Sequence, residues 1–162
     1  MKKTFFAILM AAACPCTAQT NHALGKTVTA DAAQSAYPAS FAVDGVLSDP
    51  SRWVANSSSV GHWLEINLGS SVTLRQAHVY SGYQSEVGSP IDSFSLQSWN
   101  GIAWQNIPGT SLDPNNSFGT VLQFNAPVTT TKVRLVVADT TTIRVRDISL
   151  WENPTPLFTG MI

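Results

Sequence analysis

The run 63–68, with Leu, Ile and Leu at every second position, is the feature that most restricts how this chain folds. In an extended chain, alternate side chains point to opposite faces, so one face of this run is entirely apolar. Leu64, Ile66 and Leu68 lie on that face and are predicted core residues, and Gly69 ends the run. A strand with one apolar face needs further strands and a second layer to bury it, which favours a layered β protein.

Similar short runs recur about every ten residues along the chain, separated by clusters of Gly, Pro, Asn and Ser. Helical periodicity is not convincing in any window. The pattern predicts eight strands, at residues 26–30, 62–68, 72–80, 92–99, 103–107, 120–125, 132–137 and 144–151. Eight short strands in one domain indicate an all-β fold, an eight-stranded antiparallel β-sandwich or jelly roll.

One hairpin can be placed within this pattern. Asn100-Gly101 is typical of a tight turn with positive φ at both central residues. Trp99 and Trp104 flank the turn, and aromatic residues in such positions more often pack across the strands than bind a sugar. We therefore interpret them as a cross-strand pair. Trp53 is likewise interpreted as core, and His62 as a structural surface residue.

The first 18 residues have the character of an export signal. Lys2-Lys3 precede an apolar run, and small residues end at Ala18, before Gln19. The run is shorter than the roughly 20 residues that a membrane-spanning helix needs. The sequence therefore predicts a signal peptide at 1–18 and a secreted or periplasmic mature domain at 19–152. A lipoprotein anchored through Cys14 is the alternative.

Composition excludes some classes of partner. Removing residues 1–18 takes two of the nine Lys and Arg residues away, which leaves seven against ten Asp and Glu and changes the formal net charge from −1 to −3. A basic surface for nucleic acid is therefore not expected. Both cysteines fall within the signal segment, so the predicted mature domain has no disulfide. The loops are mostly Ser, Thr, Gly and Asn, which does not favour membrane insertion.

The segment 41–53 concentrates oxygen donors around a turn. Asp44-Gly45 folds the chain back, because Gly45 takes a positive φ at little cost. Calcium binds about six to eight oxygens from carboxylates, carbonyls and hydroxyls. An ordinary turn without an ion is the alternative. The candidate ligands in this segment are the side chains of Asp44, Asp49 and Ser51 and the carbonyls of Phe41 and Val46.

Eight motifs in order resemble the discoidin, or coagulation factor V/VIII type C, domain. The resemblance covers nearly the whole predicted mature chain, and the bacterial secreted members are similar to carbohydrate-binding module family 32. The motifs are Asn21 to Ala30, Tyr37-Pro38-Ala39, Ala42-Val43-Asp44-Gly45, Ser51-Arg52-Trp53, Trp63 to Gly69, Ser98-Trp99-Asn100-Gly101 with Trp104, Lys132-Val133-Arg134-Leu135 and Arg146-Asp147-Ile148.

The resemblance implies an eight-stranded jelly roll with a structural calcium ion. It brings Asp147 beside Asp44 and makes Ser51 the third side-chain ligand, with main-chain oxygens completing the shell. Asp49 is an alternative to Ser51, because the segment 48–50 lengthens the loop. Asp147 also stands where the family usually has Glu. The implied ligand set is Phe41, Asp44, Val46, Asp49, Ser51, Arg146 and Asp147.

A glycan site is implied by the family, but its galactose-binding Arg and Asn do not match the segment 81–89. Sugars are held by an aromatic plate and a few polar groups. Tyr83, Gln84 and Glu86 are the residues in this segment that offer such a set. Tyr83 acting only as a cap on the sandwich is the alternative.

Catalysis is not expected. A glycosidase needs paired carboxylates and a serine hydrolase needs a Ser, His and acid triad, but the acids are scattered and His22 and His62 stand in no such motif. The predicted function is a non-catalytic carbohydrate-binding module that attaches itself or an associated catalytic domain to a glycan or polysaccharide. A cell-surface adhesion or protein-interaction domain is the alternative, and lipid binding ranks third. The segment 153–162 is interpreted as a tail or the start of a linker.

Overall fold

The computed structural model describes residues 19–85 and 88–153. The export signal, Cys14, Glu86 and the tail after Asn153 therefore lie outside the described residues. No helix within those two ranges is long and apolar enough to cross a membrane. The described chain is built from strands and one 3-10 helix, Ala39–Val43: β1 (Thr27–Ala30), β2 (Trp53–Ala55), β3 (His62–Ser81), β4 (Phe94–Trp99), β5 (Trp104–Asn106), β6 (Gly119–Val137) and β7 (Ile143–Trp151).

All strand pairs are antiparallel, and two long strands join the two layers of the fold. The hydrogen-bonded order is β2-β7-β3-β6-β4-β5, with β1 added beside β3. The first part of β3 pairs with β1 and the end of β6, and its second part pairs with β7 and the start of β6. A register shift between Asn67 and Val72 marks the change of partners. The sheet thus doubles over on itself, and the predicted all-β sandwich is confirmed.

The core lies between the two halves of the doubled sheet. Leu64, Ile66 and Leu68 are at most 1 % exposed, as the alternation predicted. Burying a side chain of this size contributes roughly 1.5–3 kcal/mol. Side chains from the second half of β3 and from its neighbours complete the same cluster: Leu74, Ala77, Val79, Leu122, Val133, Leu135, Ile148 and Leu150.

The described residues form seven strands where the sequence predicted eight, and the boundaries differ in two ways. The runs 62–68 and 72–80 belong to the single strand β3, and 120–125 and 132–137 to the single strand β6, because the backbone stays extended through each bend and β3 pairs with β6 on both sides of it. In addition, β2 was not predicted. Its three residues are all buried, so they show no alternation of polar and apolar side chains.

The aromatic pair of the β4–β5 hairpin is confirmed, but the predicted turn is wrong. Trp99 pairs with Trp104, and their ring centroids lie 5.4 Å apart in an edge-to-face arrangement. The connection has four residues, and of its Asn-Gly pair only Gly101 has a positive φ, 97°. Asn100 instead accepts hydrogen bonds through Oδ1 from the backbone N–H groups of Ile102 and Ala103.

His62 is buried, so its interpretation as a surface residue is wrong. Its Nδ1 lies 2.9 Å from Asp31 Oδ2, and Asp31 Oδ1 accepts a hydrogen bond from the N–H of Trp63. This pairing satisfies one polar group of a side chain that is 3 % exposed. Trp53 is fully buried, as predicted, and its Nε1 donates to the carbonyl of Ala32 at 2.8 Å.

Several connections meet at one end of the sandwich, which we call the loop end: residues 56–61, 82–85, 88–93, 107–118 and 138–142. They meet because β3 starts and finishes there, with His62 opposite Val137 and Tyr80 opposite Gly119. The backbone of Ser58 donates to the carbonyl of Thr140 at 3.0 Å. Hydrogen bonds between connections therefore hold this end together.

Candidate functional site

Two carboxylates meet where the Asp44 turn lies against β7. Gly45 has a φ of 76°, which lets the chain reverse, and its N–H donates to Asp147 Oδ1 at 3.2 Å. Asp44 Oδ1 accepts from the N–H of Val46 at 2.8 Å, which fixes the turn. The structure thus places Asp44 beside Asp147, although 102 residues separate the two segments in sequence.

Burial raises the pKa of the Asp147 carboxyl to about 6, and the neighbouring charge of Asp44 adds to the rise. The hydrogen bonds from Gly45 and Ser149 act in the opposite direction and are outweighed. Asp147 is only 5 % exposed. Two adjacent carboxylates, one of them buried, are an arrangement that a divalent cation relieves.

Of the other two predicted side-chain ligands, one lies at the carboxylate pair and one does not. Ser51 Oγ donates a hydrogen bond to Asp44 Oδ2, so Ser51 lies at the carboxylate pair. Asp49 points elsewhere: its Oδ1 accepts from the N–H of Gln84 at 2.7 Å and lies 3.9 Å from an amino group of Arg52. A bridge between Ser48 and Ser51 makes the tight turn that carries Asp49 away.

This donor set fits calcium better than a transition metal. Within the part of the chain that the structure describes, three or more His, Cys, Asp and Glu side chains nowhere gather into a metal cluster. A site here relies on Asp44, Asp147 and Ser51 together with carbonyl oxygens, which is the chemistry that calcium accepts. The carbonyls offered by the sequence are those of Phe41, Val46 and Arg146, and the Val46 carbonyl accepts a hydrogen bond from the N–H of Ser48.

Tyr83 lies at the loop end beneath two cations. The guanidinium carbon of Arg144 is 4.8 Å from the centre of the Tyr83 ring, and that of Arg52 is 5.2 Å from it. Arg52 also lies 4.7 Å from the ring of Tyr37. The half-buried Tyr83 is therefore not a bare plate for a sugar, because its ring supports guanidinium groups.

Neither arginine was a candidate in the sequence, because the cluster joins four distant segments. Tyr37, Arg52, Tyr83 and Arg144 come together only through the fold, for example through the hydrogen bond from the N–H of Gly82 to the carbonyl of Arg144 at 3.0 Å. The other predicted glycan residues are Gln84 and Glu86. Gln84 is exposed and Glu86 lies outside the described residues.

An open cleft of about 310 Å³ lies near this cluster. Its walls are the segments 89–92 and 139–143, which supply Ser and Thr hydroxyls and the Asp92 and Asp139 carboxylates. Asp139 fixes the two walls, since its carboxylate accepts from the N–H groups of Asp92 at 2.6 Å and Ser93 at 2.8 Å. We call this the loop-end cleft. It is polar and largely preformed, and its size is that of a small-ligand site.

The sequence of residues 26–152 matches the model of the F5/8 type C domain. The chain belongs to the F5/8 type C domain family. This result confirms the resemblance derived from the eight motifs. No curated protein matches the sequence significantly.

Among the solved structures similar to this F5/8 type C domain are a chitosan-binding module and a family 32 carbohydrate-binding module. Chitosan-binding module 1 from the chitosanase/glucanase of Paenibacillus sp. IK-5 has 22% identity and a TM-score of 0.68, covering 81% of this chain and 98% of that one. The family 32 module of C. perfringens NanJ in complex with galactose has 16% identity and a TM-score of 0.69, covering 83% and 98%. SpGH29 has 23% identity and a TM-score of 0.71, covering 84% of this chain and 28% of that one. At these identities the likeness shows the jelly-roll fold.

Proposed function

We propose that this F5/8 type C domain is a non-catalytic carbohydrate-binding module whose glycan site is the loop-end cleft beside Tyr83. The observation that carries the proposal is the arginine and tyrosine cluster at the edge of a preformed polar cleft. Similar folds named for binding chitosan and galactose support the class of ligand. The affinity expected for one shallow site is about 1 mM to 1 μM.

The arginines are the main recognition groups in this proposal. Sugar hydroxyls accept hydrogen bonds from guanidinium N–H groups, and Arg52 and Arg144 both lie over the Tyr83 ring. Arg144 directly follows Ile143, which lines the cleft. Hydroxyls of the segment 140–142 face the same opening and both donate and accept. Arg144 is held by a hydrogen bond to the carbonyl of Thr142 at 3.3 Å, which joins the cluster to the cleft wall.

Calorimetry of the chain without residues 1–18, against glycans that a glycan array identifies, tests the proposal. Replacing Arg144 with Met removes donors, and Tyr83→Ala removes their support, so each variant should bind at least roughly tenfold more weakly. Trp104→Ala is the matched control, because it removes a half-buried aromatic side chain that also lies under a guanidinium group, that of Arg134, but belongs to the β4–β5 hairpin. Normal binding by the Tyr83 and Arg144 variants with loss in the Trp104 variant would move the site to that hairpin. No binding across the array would refute the function.

Three further properties belong to the same proposal. Residues 1–18 direct export, so the module acts outside the cytoplasm, either free or anchored through Cys14. Calcium bound at Asp44, Ser51 and Asp147 stabilises the fold beside the site. A catalytic domain is attached or works nearby. The similarity to SpGH29 supports this, because the matching part is 28% of that chain, so a comparable fold occurs there within a larger protein. Weak binding then gains strength from tethering.

A further inference from the structure

A second cleft, distinct from the loop-end cleft, has a buried cation in its wall. It has a volume of about 440 Å³ and lies between the Asp44 turn, β3, β7 and the segment 116–119. We call it the Arg146 cleft. The lining residues are Leu47, Tyr80, Asn116, Ser117, Phe118, Gly119 and Arg146.

Arg146 is 6 % exposed and has no compensating partner in the described chain. Its Nε is buried and makes no hydrogen bond to any described residue. The four ion pairs among the described residues all involve other side chains. A buried charge without a partner is costly, so such a group is retained where an outside partner completes it.

The local backbone aims Arg146 into this cleft. Tyr80 pairs with Asp147 and the next residue, Ser81, pairs with Val145, so Arg146 is the extra residue of a β-bulge in β7. Bulges redirect one side chain out of the regular alternation and are frequent next to binding sites. Regular alternation along β7 would not direct the Arg146 side chain into this cleft.

The other walls suit the body of a sugar ring. The Tyr80 ring lies on Gly119, where a Cβ atom would come within 2.8 Å of the ring. The Phe118 ring lies equally close to Gly82, at 2.7 Å from a Cβ placed there. Two fixed aromatic side chains offer apolar surface to the C–H groups of a pyranose, and Asn116 and Ser117 at the rim offer polar groups to its hydroxyls.

We propose that the Arg146 cleft binds the carboxylate of an acidic sugar, a hexuronate residue of an acidic polysaccharide. The guanidinium group matches a carboxylate with two parallel hydrogen bonds, while the aromatic walls hold the ring. This site does not depend on the proposed function of the loop-end cleft, because different side chains form the two clefts.

The test is titration of the chain without residues 1–18 with methyl β-D-glucuronide and methyl β-D-glucoside, followed by NMR. Wild type should bind the glucuronide roughly 10- to 100-fold more tightly than the glucoside. The shifted amide signals should include those of Tyr80, Phe118 and Gly119. Equal affinity for the two sugars, binding of neither, or shifts confined to the loop-end cleft would overturn the inference.

Variants distinguish the effect of the Arg146 charge on binding from an effect on folding. Arg146→Met keeps the length of the side chain and removes an uncompensated buried charge, so the variant should melt no lower than wild type and should lose the preference for the glucuronide. Arg75→Met is the matched control, since Arg75 is exposed on β3. Tyr83→Ala should keep glucuronide binding. Retention of the preference by Arg146→Met would refute the site, and if that variant does not fold, the wild-type shift pattern decides.

Discussion

The carboxylate pair of Asp44 and Asp147 makes a prediction about how stability depends on pH in the metal-free chain. The pKa of Asp147 is raised to about 6 in the folded state, whereas an aspartate in the unfolded chain has a pKa of about 3.9. Between these values the folded chain holds a proton that the unfolded chain has lost. The contribution that protonated Asp147 makes to the stability of the fold is therefore fully present below about pH 4, and it is lost as the pH rises through about 6.

The size of the effect follows from the difference between the two pKa values. About two units correspond to about 3 kcal/mol of unfolding free energy, because each unit is worth about 1.36 kcal/mol. Asp147 is 5 % exposed, so solvent screens little of this. At pH 7.5 with chelator, Asp147→Asn should thus be more stable than wild type by up to about 3 kcal/mol. The amide oxygen still accepts from the N–H of Gly45.

Calcium should remove most of this difference in stability. An ion that binds only the folded state adds about 2.7 kcal/mol at a hundredfold excess over its dissociation constant. For a domain of this size that corresponds to roughly 6 to 12 °C in melting temperature. Wild type should show this rise at pH 7.5 and a smaller rise at pH 5, where the proton competes, and Asp147→Asn should show none.

Thermal melts followed by circular dichroism, at both pH values and with calcium or chelator, measure all of these differences. Asp49→Asn is the matched control, because Asp49 belongs to the same loop but contacts Gln84 and Arg52, and its calcium response should equal that of wild type. The reasoning is refuted if Asp147→Asn is less stable than wild type in chelator at pH 7.5. An equal calcium response in Asp147→Asn and wild type would place any ion elsewhere.

Two other predictions concern the backbone and the N-terminus. Chemical denaturation should show that Gly61→Ala destabilises the fold by far more than Gly69→Ala, which should cost about 1 kcal/mol. Both glycines have a positive φ, but a Cβ atom at Gly61 would lie 2.3 Å from the carbonyl oxygen of Val137. A Cβ atom at Gly69 would have none of the described atoms within 4 Å apart from its chain neighbours. Equal losses would contradict the packing. Mass spectrometry of the exported protein should find a chain that starts at Gln19; a diacylated Cys14 would establish the lipoprotein instead, and an intact Met1 would exclude both.

The sequence predicted the fold correctly where a strand has one buried face and one face turned to solvent. Alternation placed Leu64, Ile66 and Leu68 in the core because each faces inward while its neighbours face solvent. The same rule fails for β2, which is buried on both faces. It also fails at the bends of β3 and β6, where a glycine and small polar residues predict a break, although each strand stays extended and pairs with its neighbour on both sides of the bend.

The candidate sites were predictable only in part, for a different reason. The Asp44 turn is local, so its sequence shows it, and the family resemblance supplied Asp147 from the far end of the chain. The arginines around Tyr83 carry no local signal, because a guanidinium group over a ring depends on the packing of segments that are distant in sequence. Arg146 was a candidate only for its main-chain oxygen, since the bulge that directs its side chain is a property of the pairing with β3.

Arg146 and Asp147 are neighbours on β7 with opposite charges, and both are almost fully buried. An ion pair between them would cancel both charges, but no such pair forms in the described chain, where Asp147 is instead held by the N–H of Gly45. The bulge directs Arg146 to a cleft walled by Tyr80 and Phe118, while Asp147 lies at the Asp44 turn. Keeping two buried charges apart costs folding free energy that a direct pair would not. The two proposed partners, a calcium ion at Asp147 and a sugar carboxylate at Arg146, would compensate both buried charges.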